Sequence, residues 1–85
     1  MIHIFGFLYA SYILYTGGMR MQILTWQARK SRNMTLKQLE AATGIGKTTL
    51  NNIENELVSP TLAELETIAK ALDMRITDLF DSDYK

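Results

Sequence analysis

The sequence of 85 residues contains no cysteine, one histidine and one proline. Without thiols the chain cannot form a disulfide or the cysteine-rich ligand set of a structural zinc site. His3 is the single imidazole and lies near the terminus, so catalysis through Cys or His is nearly excluded. We therefore expect no catalytic residues, no bound metal and no cofactor.

The chain also lacks the length of a two-lobed enzyme and the polar composition of a disordered protein. Its 9.7 kDa allow one small domain, and 47% of the residues are hydrophobic against 21% that are charged. Straight-chain residues prevail after residue 20, and one proline with five glycines leaves few turn signals. The composition therefore predicts a folded, mainly helical domain.

The net charge is zero, but the charges are unevenly distributed along the chain. From Arg20 to Lys47, six basic residues stand against Glu40 alone, which gives +5. From Thr48 to Lys85, eight acidic residues stand against three basic ones, which gives −5. A basic half suits a polyanion such as nucleic acid, while overall neutrality argues against strong sequence-independent binding.

The first 18 residues form an apolar extension, because no charged residue precedes Gly18. The apolar run from Ile4 to Tyr15 is shorter than the ~20 residues of a membrane helix, which argues against a membrane anchor. Its start lacks the basic residues of a secretory signal. The remaining interpretation is a strand or short helix that covers part of the domain or pairs with a second subunit. Between these two, the β-branched and aromatic content favours the strand.

A further hypothesis is that translation begins at Met19 or Met21, which would leave the extension out of the native protein. Mass spectrometry of the protein from its source cell would reject this hypothesis by finding peptides that include Tyr9 or Tyr12. We accordingly divide the chain into two parts. Residues 1–18 form an extension whose role the sequence does not indicate, and residues 19–85 form a folded domain.

After the extension, the hydrophobic spacing predicts five short helices. The first contains Ile23 and Ala28 and ends near residues 31–33. The segment from Thr35 to Gln38 fits a capping box, in which each residue's side chain bonds the other's backbone N–H. We therefore expect the second helix to begin just after Thr35 and to end at Gly44, which can adopt a left-handed conformation.

A third helix, residues 47–55, follows a corner of only two residues. The fourth begins at another capping box, Thr61 to Glu64, and its apolar positions continue to Leu72 at helical spacing. Residues 76–80 resemble a short fifth helix. Residues 81–85 are expected to form a frayed polar tail.

The third predicted helix has an unusual polar face. Leu50 and Ile53 lie on one side, and the opposite side carries short amides and hydroxyls with one cation. Such groups can bond the edges of adenine, guanine and thymine, which points to DNA recognition. The alternative is that they only cap and solvate a short helix. The polar face consists of Lys47, Thr48, Asn51, Asn52 and Asn55.

From about residue 24 to residue 80, the chain resembles the phage-repressor-like (Cro/Xre-type) helix-turn-helix family. The resemblance rests on Arg29 before Thr35, Thr43-Gly44-Ile45, Ile53-Glu54-Asn55, Ser59-Pro60-Thr61-Leu62 and residues 68–72. It implies an all-α, compact five-helix domain that binds double-stranded DNA. It further implies a cytoplasmic transcriptional regulator of prokaryotic or phage type, a repressor acting as a homodimer on a palindromic operator.

The resemblance also implies roles for individual residues. Lys47, Thr48, Asn51 and Asn52 would contact base edges in the major groove, whereas Asn55, Thr35 and Ser59 would lie near phosphates. Arg29 and Glu54 would form an internal salt bridge that ties the first helix to the third.

Three positions depart from the family pattern. Leu36 stands where the family often has a Gln that touches DNA, Glu40 where Ala is common, and Gly46 where Ser or Thr often caps the third helix. Among the remaining side chains, we expect Lys30 and Arg32 to be solvated or to face phosphates. Trp26 is expected in the core.

Two other functions are alternatives to DNA binding. Residues 44–48 contain the GKT end of a phosphate-binding loop, but Ala41 replaces its first glycine and a helix precedes it, so nucleotide hydrolysis is excluded. We expect no enzyme. The alternative that stays open is a protein-interaction module, such as an antitoxin or adaptor, and the apolar extension supports it.

Overall fold

The computed structural model describes residues 21–85, which form four α-helices, one turn of 3-10 helix and a two-stranded sheet. The extension at residues 1–18 lies outside the described residues. The order is β1 (Met21–Ile23), α1 (Thr25–Ser31), α2 (Leu36–Thr43), α3 (Lys47–Glu54), α4 (Leu62–Leu72), the 3-10 turn (Ile76–Leu79) and β2 (Phe80–Ser82).

Two helices begin at the predicted capping boxes. At the start of α2, Thr35 Oγ1 accepts from the Gln38 N–H at 3.0 Å, and Gln38 Oε1 accepts from the Thr35 N–H at 2.9 Å. Thr61 and Glu64 form the same reciprocal pair at 3.0 and 2.9 Å at the start of α4. Both predicted helix starts are therefore confirmed.

Each of the four described helices is followed by a residue with positive φ. These residues are Asn33 (56°), Gly44 (77°), Glu56 (57°) and Asp73 (56°). Such residues let the N–H groups just past the helix bond its last carbonyl oxygens. The conformation is strained for side chains with a Cβ, so of the four only Gly44 adopts it freely.

Every described helix contributes to one hydrophobic core. Leu39, Ile53, Ile68 and Leu79 have no exposed surface, and Leu50 has 1%. Since α3 buries Leu50 and Ile53, its opposite face is turned to solvent. Truncating a buried leucine such as Leu50 to alanine would cost about 2 to 5 kcal/mol of unfolding free energy. Exposing Leu50 and Ile53 by rotating α3 would lose similar burial, so the core fixes the orientation of this helix.

The sheet corrects three predictions at the ends of the described chain. Ile23 was expected in the first helix, but it lies in β1 and pairs with Phe80 of antiparallel β2. The predicted fifth helix is only the 3-10 turn before β2. Asp81 and Ser82 belong to β2 and are not a frayed tail. Strands of three residues show too little alternation to be predicted, and their pairing is non-local.

Candidate nucleic-acid interface

The solvent-facing side of α3 carries the polar residues that the sequence predicted for it. Among them Asn52 is half-buried on the flank of the helix, and the others are exposed: Lys47, Thr48, Asn51 and Asn55. Thr49 is also exposed. The helix therefore presents a surface of short amides, hydroxyls and one ammonium group.

Two asparagines of this face are bonded to each other along the helix. Asn55 Nδ2 donates to the backbone oxygen of Asn51 at 2.9 Å and to Asn51 Oδ1 at 3.3 Å. These bonds hold the side-chain amide of Asn55 along α3. Asn51 accepts these bonds through its oxygens, and its side-chain NH2 group can donate to an acceptor outside the protein, such as N7 of a purine.

The corner between α2 and α3 is held by side chains as well as backbone. The Gly44 N–H donates to the backbone oxygen of Glu40 at 2.8 Å. Thr43 Oγ1 donates to the Leu39 oxygen at 2.7 Å and accepts from the Ile45 N–H at 3.0 Å. These bonds close the last turn of α2 and tie the Ile45 N–H, in the corner, to that turn.

A buried ion pair joins α1 to α3. Arg29 Nε donates to Glu54 Oε2 at 2.6 Å, and Nη2 donates to Oε1 at 3.0 Å. The two side chains are only 9% and 4% exposed. Arg29 Nη1 also donates to the Met34 oxygen at 2.7 Å, just before α2. The guanidinium thus anchors three segments and is turned away from solvent.

An open cleft of about 450 Å³ lies beside the N-termini of α2 and α3. Its lining includes the side chains of Lys30, Lys37 and Lys47 together with Thr35. These three lysines, together with the partial positive charge at the start of α2, favour an anion such as phosphate in the cleft. The structure thus brings Thr35 and Lys47 to one place, whereas Ser59 is exposed in the loop after α3.

The structure places Leu36 differently from a DNA-contacting glutamine. Its side chain is half-buried and packs against the core. This position therefore contributes to packing where the family often has a polar contact.

Two expectations for residues of the basic half need correction. Arg32 does not simply face solvent, because its Nε and Nη2 donate to the oxygens of Leu72 and Asp73 at 2.7 and 3.1 Å. It satisfies carbonyls left open at the end of α4. Trp26 is 49% exposed and not in the core, and the Lys30 ammonium lies 5.9 Å from its ring centre. The inward positions of α1 are occupied by Thr25, Ala28 and Arg29.

Within residues 21–85 we find no group of His, Cys, Asp or Glu side chains that could hold a metal ion. None of the helices in that part of the chain is long and apolar enough to cross a membrane.

Comparison with protein families gives a match to a model described as helix-turn-helix, over residues 27–79. This range is more than half of the chain, and it runs from within α1 to the end of the 3-10 turn. It includes the Arg29–Glu54 pair and the whole polar face of α3. A search of curated proteins gives no match.

Proposed function

The chain belongs to the Cro/C1-type helix-turn-helix family of DNA-binding regulators, and from this premise we propose that α3 enters the major groove of double-stranded DNA. The proposed outcome is sequence-specific regulation of transcription. The protein would then act in the cytoplasm of a prokaryotic cell, where the chromosomal and phage DNA is found.

The observation that carries this proposal is the composition of the α3 surface. A face that only solubilises a helix usually mixes Glu and Lys, whereas this face offers groups that complement base edges. Lys47 can donate to guanine O6 or N7, Thr48 can contact the thymine methyl group, and Asn51 and Asn52 can bond adenine. Because Leu50 and Ile53 fix the helix to the core, this face is held rigidly.

Phosphate contacts would come from the cleft and from both ends of α3. Lys37 and Thr35 lie at the start of α2 in the cleft, and they suit the backbone on one side of the groove. Asn55 and Ser59 lie at and beyond the other end of α3, and we assign them to a neighbouring stretch of backbone. Such contacts set the position of α3 without selecting a sequence.

We propose a homodimer on a palindromic operator, with the two copies of α3 about 34 Å apart. Three exposed apolar side chains beyond α3, namely Leu57, Val58 and Leu62, support a protein contact near this end of the helix. Repression is the simpler outcome, because occupying an operator is sufficient for it, whereas activation requires a further contact with the transcription machinery.

A pair of variants tests the assignment of base and phosphate contacts. Lys37→Ala should weaken binding to all duplexes alike and lower the slope of log affinity against log salt by about 1. Thr48→Ala should weaken binding to the preferred duplex and leave binding to a scrambled duplex unchanged. Uniform losses for both variants would contradict the proposed orientation of α3.

The second candidate function is a protein-interaction module, which the same exposed apolar side chains favour. It predicts that a specific protein is retained from nuclease-treated extract of the source cell while no duplex is preferred. Preference for one duplex, measured by fluorescence anisotropy, would exclude it as the main activity.

A further inference from the structure

Helix α3 begins without a capping side chain of its own. Its N-cap is Gly46, with φ −59° and ψ 145°, and no side chain of that residue can accept the first N–H groups. Neither conformation nor space requires glycine here, because a Cβ at Gly46 would meet nothing within 4 Å. The absence of a local cap therefore has to be compensated from elsewhere.

The compensating acceptor comes from α2. Glu40 Oε2 accepts from the Lys47 N–H, the first backbone donor of α3, at 2.9 Å. The backbone oxygen of the same Glu40 accepts from the Gly44 N–H at 2.8 Å. One half-buried residue thus bonds both sides of the corner. A carboxylate at a helix N-terminus is also stabilised by the helix dipole.

We propose that Glu40 is a positioning residue for DNA recognition: its carboxylate holds the first turn of α3, and with it Lys47 and Thr48, in the orientation that contacts bases. This inference rests on the proposed function. A specific complex needs that turn ordered before base contacts can form, whereas sequence-independent attraction to phosphates does not. Glu40 therefore raises the preference for the operator over other DNA.

The size of the effect follows from the usual contribution of a helix cap. The affinity for the operator is proportional to the fraction of molecules in which the first turn of α3 is ordered. Loss of a cap lowers the equilibrium constant for ordering the first turn by about fivefold, which is the upper limit of the fall in the ordered population. Glu40→Ala should therefore reduce the ratio of operator affinity to scrambled-duplex affinity measurably, by up to about fivefold.

The test uses the full chain with the substitutions Glu40→Ala, Gly46→Ser and both together. Each variant is measured for its affinity ratio and for hydrogen exchange of the first-turn amides of α3 by NMR. Glu40→Ala should lower the ratio and speed the exchange. The hydroxyl that Gly46→Ser adds to the double variant can accept from the second or third N–H of the helix, so the ratio should return to within about twofold of the starting protein.

Two controls separate the explanations. Gly46→Ser alone should leave the ratio within about twofold of the starting protein. Glu40→Gln keeps an oxygen acceptor while removing the charge, and it should retain most of the preference for the operator. An unchanged ratio in Glu40→Ala, or no recovery in a folded double variant, would overturn the inference.

Failure of the proposed function would look different from failure of this inference. If the starting protein prefers no duplex, the proposed function is wrong and the role of Glu40 in recognition is wrong with it. If the starting protein has an operator and Glu40→Ala binds it with the same preference, only the inference about Glu40 is wrong.

Discussion

Replacing Arg29 by alanine should destabilise the domain far more than removing an exposed charge. Glu54 is 4% exposed in the native state and would lose the guanidinium that makes two bonds to it. The Met34 oxygen would lose a donor as well. The expected loss of stability is large because the ionised carboxylate of Glu54 would stay buried without its partner.

The expected loss of unfolding free energy is about 3 to 5 kcal/mol, the usual cost of breaking a buried pair from one side. A domain of this size has a total stability of roughly 3 to 10 kcal/mol, at 0.05–0.15 kcal/mol per residue. Arg29→Ala should therefore remove at least about three tenths of the stability. Replacing both partners by methionine should cost less than the sum of the single changes, because neither charge is then left alone.

The assay is urea unfolding followed by circular dichroism, since urea does not screen charges as a guanidinium salt would. Lys70→Ala is the matched control, because Lys70 is an exposed cation on α4, and it should change stability by less than about 0.5 kcal/mol. The loss of stability in Arg29→Lys should lie between those of Arg29→Ala and Lys70→Ala. Lysine keeps the positive charge but cannot make the two parallel bonds of the guanidinium to Glu54. A loss below about 1 kcal/mol for Arg29→Ala would show that Glu54 does not stay buried as an unpaired carboxylate.

Three further substitutions test local features by the same unfolding assay. Thr25→Val should stabilise by about 1 kcal/mol, because the buried Thr25 Oγ1 has no hydrogen-bond partner; a marked loss would show that the hydroxyl is needed. Glu56→Gly should stabilise by about 1 kcal/mol through relief of its left-handed φ of 57°, and no gain would argue against strain there. Arg32→Ala should destabilise by about 1 kcal/mol, and Arg32→Lys should recover only part of this, because the forked contact with the Leu72 and Asp73 oxygens is lost; equal stability of the alanine variant would contradict that contact's importance.

The features that could be predicted from the sequence are those determined by neighbouring residues. The capping boxes at Thr35 and Thr61 involve partners three residues away, so the sequence shows them directly. Gly44 marks the end of α2 because the left-handed conformation favours glycine. The spacing of Leu50 and Ile53 likewise determines which face of α3 is exposed.

The features that could not be predicted depend on contacts between distant residues. The pairing of β1 with β2 joins the two ends of the described chain, and the contact of Arg32 with the end of α4 spans 40 residues. Glu40 looked like a tolerated departure from the family pattern, and its bond to Lys47 depends on the angle of the corner. The sequence showed the polar face of α3, but not the residue that orders its first turn.

The most direct test of the central claim is selection of bound duplexes from a random DNA pool, carried out with the protein and with Asn52→Ala. If α3 reads bases as a dimer, a palindrome should be enriched, and Asn52→Ala should lose about 1 to 3 kcal/mol at one symmetric base position. Binding of that variant to scrambled DNA should be unchanged across a salt titration. Absence of an enriched sequence, or an equal loss by Asn52→Ala on every duplex, would contradict base recognition by α3.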